Sequence, residues 1–436
     1  MANVAVIGAG VMGLACAHEL LKQGHAVDIY EADDRIGGMA AHFDFAGLNI
    51  ERYYHFICKP DTPLFELLRE LNIDNTLRWT DTRMGYYFKG RLHEWGNPIA
   101  LLKFPGVDLI SKLRYGLHAF MSTKINDWQH LDEQEASVWI RRWIGQRAYE
   151  VFWQRLFALK FFEYRDNLSA AWIWSRIKRV GVSRKSMMQE QMGYLEGGSQ
   201  TLLDAFEKEI NKRGGKFHLN TVVRQVGVKD NVIDSVQTDN DSRHYDAVFS
   251  TIPLPFIAEM IPDLPDEDKQ QYRSIQNMGV VCVIFQLKKP VTDNFWLNIS
   301  DESIDIPGII EFSNLRPLGT HVVYVPYYMP QSHAKHGMSN DEFIIEARNY
   351  IKKLNSDLSD EDFSHAHVSR YGFAQPVCPP GFLKNLPPID SRINGLYIAD
   401  TSYYYPEDRS ISESVRLGKE MAAMLDSQGT GSHAST

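Results

Sequence analysis

The sequence predicts an α/β fold with a parallel sheet, in a chain long enough for more than one domain. Three observations carry that prediction. An apolar run at the N-terminus is followed directly by closely spaced glycines and a helical stretch; a second glycine turn with its own helix recurs near residue 197; a short strand and a helix close the chain. At roughly 150 residues per domain, the chain has room for two or three domains. Hydrophobic residues at 44% and charged residues at 23% are ordinary globular proportions, which excludes disorder, collagen-like repeats and coiled coils.

Asn3–Ile7 (NVAVI) is apolar on both faces, as suits a strand buried in a parallel sheet. Gly8, Gly10 and Gly13 follow as G-x-G-x-x-G, with Ala9, Val11 and Met12 between them. The first glycine permits a tight turn, the second lets backbone approach a pyrophosphate, and the third lets helix and strand pack closely. The pattern predicts a helix over 14–23, stopped by Gly24, with its N-terminus toward the phosphates. A second strand, Ala26–Tyr30, ends at Glu31, placed to accept hydrogen bonds from an adenosine ribose. Strand, glycines, helix, strand and acid in this order point to dinucleotide binding on a Rossmann-type layer.

The net charge of −9 offers no global basic field to draw nucleic acid, so none is expected as a partner. Cys16, Cys58, Cys282 and Cys378 are scattered, without a C-x-x-C pair or a histidine at ligand spacing. A reduced cytoplasmic protein without a bound metal is the expectation. No apolar run approaches the ~18 residues of a membrane span, and no leader segment is recognised. The small, polar 427–436 is expected to fray.

Glu31-Ala32-Asp33-Asp34-Arg35-Ile36-Gly37-Gly38-Met39 has the form E-x-x-x-R-x-G-G. Here the sequence resembles the superfamily of flavin-dependent amine oxidases, protoporphyrinogen oxidases, phytoene desaturases and UDP-galactopyranose mutases. The resemblance implies an FAD-binding domain of the glutathione-reductase kind and non-covalent FAD. It gives Arg35, Gly37 and Gly38 a second wrap of the pyrophosphate, with Ala32 and Met39 beside them; Met39 departs from the basic or polar residue of many members. It makes 194–201 a second glycine turn before a helix over 202–212. A strand over 217–226 follows, in which Val223 holds the adenine edge, and 246–251 returns to the sheet. Finally, 395–400 resembles a strand ending in an acid, Asp400, that binds a ribityl hydroxyl or phosphate. The helix over 410–425 would then aim the amides of Ile411 and Ser412 at the flavin pyrimidine, where they stabilise the charge of reduction. Ala399 and Ser412 stand where relatives carry glycine.

These segments assign 1–55, 191–255 and 386–436 to the FAD domain. The insertions 56–190, largely helical, and 256–385, with strand-like 280–287 and 322–327, form an α+β substrate domain with a mixed sheet over the flavin. The resemblance implies a small-molecule substrate giving a hydride from carbon to flavin N5. Amine oxidases of the family commonly carry a lysine on a strand of the substrate domain, and 278–285 has none. His55 sits where relatives pass beside the flavin and resembles the histidine of the mutases; it either shuttles a proton or only bonds backbone. Tyr404 is expected in an aromatic wall, Arg409 on an anionic group, and Glu407 or Asp408 as a base or merely a helix cap. The apolar stretch 98–120 reads either as a peripheral membrane contact or as a buried helix pair. Two alternatives stand beside oxidation: a redox-neutral flavoenzyme resembling UDP-galactopyranose mutase, and a flavin-bound binding protein with little turnover. Oligomeric state is not legible.

Overall fold

The structure, a computed structural model, describes residues 1–429. Its first layer is a five-stranded sheet in the order Lys216–His218, Ala26–Tyr30, Asn3–Ile7, Ala247–Ser250, Leu396–Ile398, with every pairing parallel. The strands are buried on both faces because helices cover the sheet, which is why Asn3–Ile7 shows no alternation. The helices Val11–Lys22 and Ile411–Gly429 pack tightly together: a Cβ at Gly418 would lie 2.4 Å from the Met12 carbonyl.

Sheet, glycine turn, first helix and acid stand where the sequence puts them, with differences at the edges. The first helix starts at Val11, inside the glycine turn, because Gly10 already serves as its N-cap and accepts the Leu14 amide at 2.9 Å. The strand expected over 217–226 is two strands, Lys216–His218 in the parallel sheet and Val223–Lys229 in a separate three-stranded sheet. Between them the chain turns through Asn220, at φ 50°, and bonds back to the second strand's end, Asn220 N to Asp33 O and Thr221 N to Glu31 O. The closing strand stops at Ile398, and Asp400 instead caps the short turn Thr401–Tyr404. Residues 427–429 continue the last helix; the rest of the segment expected to fray lies outside the described residues.

The second layer is a seven-stranded mixed sheet. Phe363–Pro376, Asn277–Leu287, His321–Met329, Gly308–Glu311 and Trp296–Ser300 run antiparallel to their neighbours. The hairpin Met84–Phe88 and Arg91–Trp95, turning at Lys89-Gly90, joins it through a parallel pairing with Trp296–Ser300. Strands from 84–95 and from 277–376 therefore share one sheet. Helices including Leu109–Ser122, Ala136–Ile144, Arg155–Phe161 and Ala170–Val182 pack beside it around an aromatic core with Trp139, Phe152, Trp172 and Trp174.

Candidate functional site

A cavity of about 1050 Å³ runs from the glycine turn to the mixed sheet. At one end Gly8, Gly10, Val11 and Met12 line it, with Glu31, Ala32, Gly37, Gly38, Met39 and Val223. Each glycine of the first turn answers a different steric demand. A Cβ at Gly13 would lie 1.9 Å from the Gly8 carbonyl oxygen, so this position holds helix against strand. A Cβ at Gly10 would meet nothing within 4 Å: the space beside it belongs to the cavity. Gly38, at φ 57°, approaches so closely that its Cβ would sit 3.3 Å from Gly10 Cα. The Glu31 carboxylate is fixed by two backbone amides, Ala9 at 2.7 Å and Asp33 at 2.9 Å.

Arg35 is absent from this wall. Its guanidinium is held by Asp34 at 2.6 and 2.9 Å and by the His42 carbonyl at 2.9 Å. Arg52, paired with Asp33, lines the cavity instead. The second glycine turn also lies off the cavity: Gly198 packs against His42, Glu51 and Arg316, where a side chain would collide with all three.

Midway along, Asp400 is buried and accepts the amides of Leu254 at 2.9 Å and Ser402 at 2.8 Å. Burial raises its pKa, while those amides oppose the rise. Ile411 opens the last helix onto the cavity, whereas Ser412 is buried behind it, its hydroxyl accepting the Leu64 amide at 3.4 Å.

The far end gathers side chains from distant segments. Tyr53, Tyr54, His55 and Phe56 form one wall, Trp296 and Tyr328 another, and Lys160, Arg179, Asp408 and Arg409 a third. Desolvation of the half-buried His55 lowers its pKa to about 4, Arg409 and Arg179 pushing the same way and the Tyr53 backbone opposing. Both the desolvation and the two cations favour the neutral imidazole. Its Nδ1 is buried without a hydrogen-bond partner among the described residues. Tyr404 lines the cavity, but its hydroxyl is engaged with Ser414 at 2.8 Å. Glu407 lies outside the cavity lining, and burial raises its pKa to about 7. Asp408 is half-buried, and Arg176 at 2.9 Å, with Lys160 and Arg409 nearby, holds its carboxyl below the usual range.

Lys160 was not found in the sequence. It lies on Arg155–Phe161, and the only signal was a lysine set among Leu159, Phe161 and Phe162. Its ammonium stands 5.1 Å from the Tyr328 ring centre, and the Arg409 guanidinium stands 5.5 Å from the same ring. Arg409 donates to the Tyr328 hydroxyl at 3.1 Å and to the Ala374 carbonyl. Neither cation has a carboxylate within ion-pair distance among the described residues, whereas Arg179 is paired with Asp61 at 2.9 Å. Burial, with Arg176 and Arg409 close by, lowers the Lys160 pKa to about 7. The strand Asn277–Leu287 presents Val280 and Cys282 to the cavity and no lysine.

The glycine cradle, the open space at Gly10, the fixed acid and the unpartnered His55 nitrogen all suit an elongated polar cofactor with an anionic middle. Among the described residues there is no cluster able to hold a metal ion, and no helix is long and apolar enough to cross a membrane. All four cysteines are buried thiols.

Comparison with known proteins agrees with this reading. The chain is 25% identical to the 15-cis-phytoene desaturase of Synechococcus elongatus over 325 residues, 67% of this chain and 66% of the desaturase. The match thus spans just under two thirds of that relative. Two solved structures share the fold: reduced UDP-galactopyranose mutase, with TM-score 0.76 and 16% identity, covering 98% of this chain and 96% of that one; and cyclohexylamine oxidase from Brevibacterium oxydans, with TM-score 0.72 and 16% identity, covering 98% and 99%. A family model described as flavin containing amine oxidoreductase matches residues 12–406, and with the glycine cradle and its acid in place, the chain belongs to that family.

Proposed function

We propose that the protein is an FAD-dependent oxidoreductase that oxidises a small molecule bearing an anionic group. The single observation behind this is the continuity of one cavity from the glycine turn to the Tyr328 cluster, which brings a cofactor cradle and a cationic recess into one space. We assign 1–55, 191–255 and 386–436 to a Rossmann-type FAD domain and 56–190 and 256–385 to the substrate domain. When bound, FAD supplies an acceptor for a hydride. The amides around Gly8, Gly10, Val11 and Met12 then hold its pyrophosphate, Gly37 and Gly38 allow the second approach, Glu31 takes the ribose, and Val223 flanks the adenine. Asp400 takes a ribityl hydroxyl, and the helix N-terminus at Ile411 stabilises negative charge. Arg52, rather than Arg35, is placed to balance phosphate charge.

At the other end, Tyr54, Phe56, Trp296 and Tyr328 exclude water, while Lys160 and Arg409 orient a carboxylate or phosphate of the substrate. We take attachment to be non-covalent; of the four cysteines, Cys282 alone lines the cavity, and burial raises its pKa well above the ordinary value. The same cations favour one second reading, redox-neutral chemistry on a nucleotide sugar, since a diphosphate would also satisfy them. The test is the visible spectrum of the purified protein, recorded anaerobically as anionic amines, porphyrinogens, polyprenyl phosphates and nucleotide sugars are added. Bleaching by one class supports oxidation of that class. Persistent colour with all of them, and turnover of a nucleotide sugar only after dithionite, replaces it with the second reading. A colourless protein that takes up no added FAD overturns both.

A further inference from the structure

The helix Leu109–Ser122 turns Tyr115 onto Trp95 and Phe152 but leaves most of its apolar residues outside. Its buried residues are Ser111, His118 and Ser122. The two serines are satisfied there, while His118 Nε2 is buried without a hydrogen-bond partner among the described residues. The Ser111 hydroxyl donates to Asp108 at 2.7 Å, the Ser122 hydroxyl donates to the His118 carbonyl at 2.8 Å, and His118 lies against the rings of Trp139 and Trp143 at 4.5 and 5.5 Å. Leu109, Ile110, Leu113, Leu117 and Phe120 recur at three- and four-residue intervals and are each more than half exposed, Ile110 reaching 71%. Ile99 and Leu102, on the preceding short helix, extend the surface. An ordinary amphipathic helix of a globular protein has the opposite polarity. A contiguous apolar surface of this kind marks an interaction site.

Charge selects the occupant. Residues 98–124 carry Lys103, Lys112, Arg114 and Lys124 against one acid, in a chain whose net charge is −9. That acid, Asp108, is committed to capping the helix through the Ser111 amide at 3.0 Å. A second copy would set these basic rims against each other, whereas an anionic lipid surface complements apolar face and basic rim together. We infer that the face formed by Ile99, Leu102, Leu109, Leu113, Leu117 and Phe120 docks the protein on an anionic bilayer surface, without spanning it. The inner side of the helix packs on Ala170–Val182, whose Arg179 lines the cavity, so docking holds the cavity one helix away from the lipid. The inference does not depend on the proposed chemistry.

The experiment is flotation of the full-length, flavin-loaded protein with vesicles of phosphatidylcholine alone or mixed with phosphatidylserine. Wild type is expected to float with the mixed vesicles and to be released by salt. Lys103→Gln/Lys112→Gln/Lys124→Gln should weaken that binding about fivefold for each lysine removed. Leu113→Ser/Leu117→Ser/Phe120→Ser should abolish it while leaving the melting temperature and flavin spectrum unchanged. Failure of wild type to float at low salt, or equal flotation of the serine variant, overturns the inference. A concentration-dependent dimer that the serine variant dissolves, without vesicle binding, also overturns it and assigns the face to a second copy.

Discussion

The two ends of the cavity are built by opposite means. At the glycine turn the chemistry is carried by backbone: amides at Ala9 and Asp33 hold Glu31, Gly38 lies against Gly10, and the residues that matter are those lacking a side chain. At the Tyr328 cluster the chemistry is carried by side chains from 54–56, 160, 328 and 408–409, brought together only by the packing of segments far apart in the chain. A backbone site is local and leaves a spacing pattern, whereas a side-chain site assembled from four distant segments leaves none. The first is also stiff, since helix and strand meet at van der Waals distance, while the second carries buried charge whose state depends on pH.

Substitutions separate the two ends. The largest effect belongs to Gly13→Ala, which forces a Cβ into the Gly8 carbonyl and should cost about 3 kcal/mol of stability or more, read as a lower urea midpoint with or without FAD. A melting curve equal to wild type would show that the helix can retreat and that the turn is not stiff.

Lys160→Met acts at the other end. Loss of a charged hydrogen bond to an anionic substrate should lower kcat/KM about 10- to 100-fold while flavin content stays unchanged. Below pH 7 wild-type Lys160 is charged and holds the anion; above its pKa of about 7 it is neutral, so substrate affinity falls with rising pH. That inflection should vanish in the variant. Stability moves in the other sense. The folded pKa is lowered from the ordinary 10.5, so burial of the charge is felt in full below pH 7 and relieved as pH rises from 7 to 10.5. Lys160→Met should therefore be more stable than wild type below pH 7, with the gain shrinking across that window.

Gly10→Ala sharpens the contrast within the turn. With nothing within 4 Å of the added methyl, the fold should be unaffected, yet FAD affinity should drop about tenfold, the equivalent of one or two lost hydrogen bonds to an anion. Equilibrium dialysis against FAD reads this directly, and undiminished affinity would remove Gly10 from the pyrophosphate site. The smallest effect is expected from Arg35→Ala. Its pair with Asp34 is exposed and off the cavity, so stability should change by less than about 0.5 kcal/mol and FAD retention should persist. Arg52→Ala, by comparison, should weaken FAD binding measurably.

Much of the parallel layer was legible because parallel strands and glycine turns obey local rules. Asn3–Ile7 and Ala26–Tyr30 stand at the residues their apolar runs mark, and Gly13 meets the steric demand its spacing implies. The misreadings share one cause. The run 217–226 is continuously strand-like, but its middle leaves the sheet to bond Glu31 and Asp33, a partner choice no local pattern records. Arg35 carries the right residue type at the right spacing, but its neighbour Asp34 captures it.

By itself, the sequence determined the α/β class, the glycine cradle and the acid beside it, because each depends on steric limits and hydrogen bonds within some thirty consecutive residues. Only the tertiary structure decided the rest. It lowered the His55 pKa, placed Lys160 and Arg409 over one tyrosine ring, and turned Leu113, Leu117 and Phe120 outward where the same pattern would equally have suited a core. Desolvation, charge pairing and the choice of which helix face is covered are properties of neighbours in space, and those neighbours are fixed by packing between segments far apart in the chain.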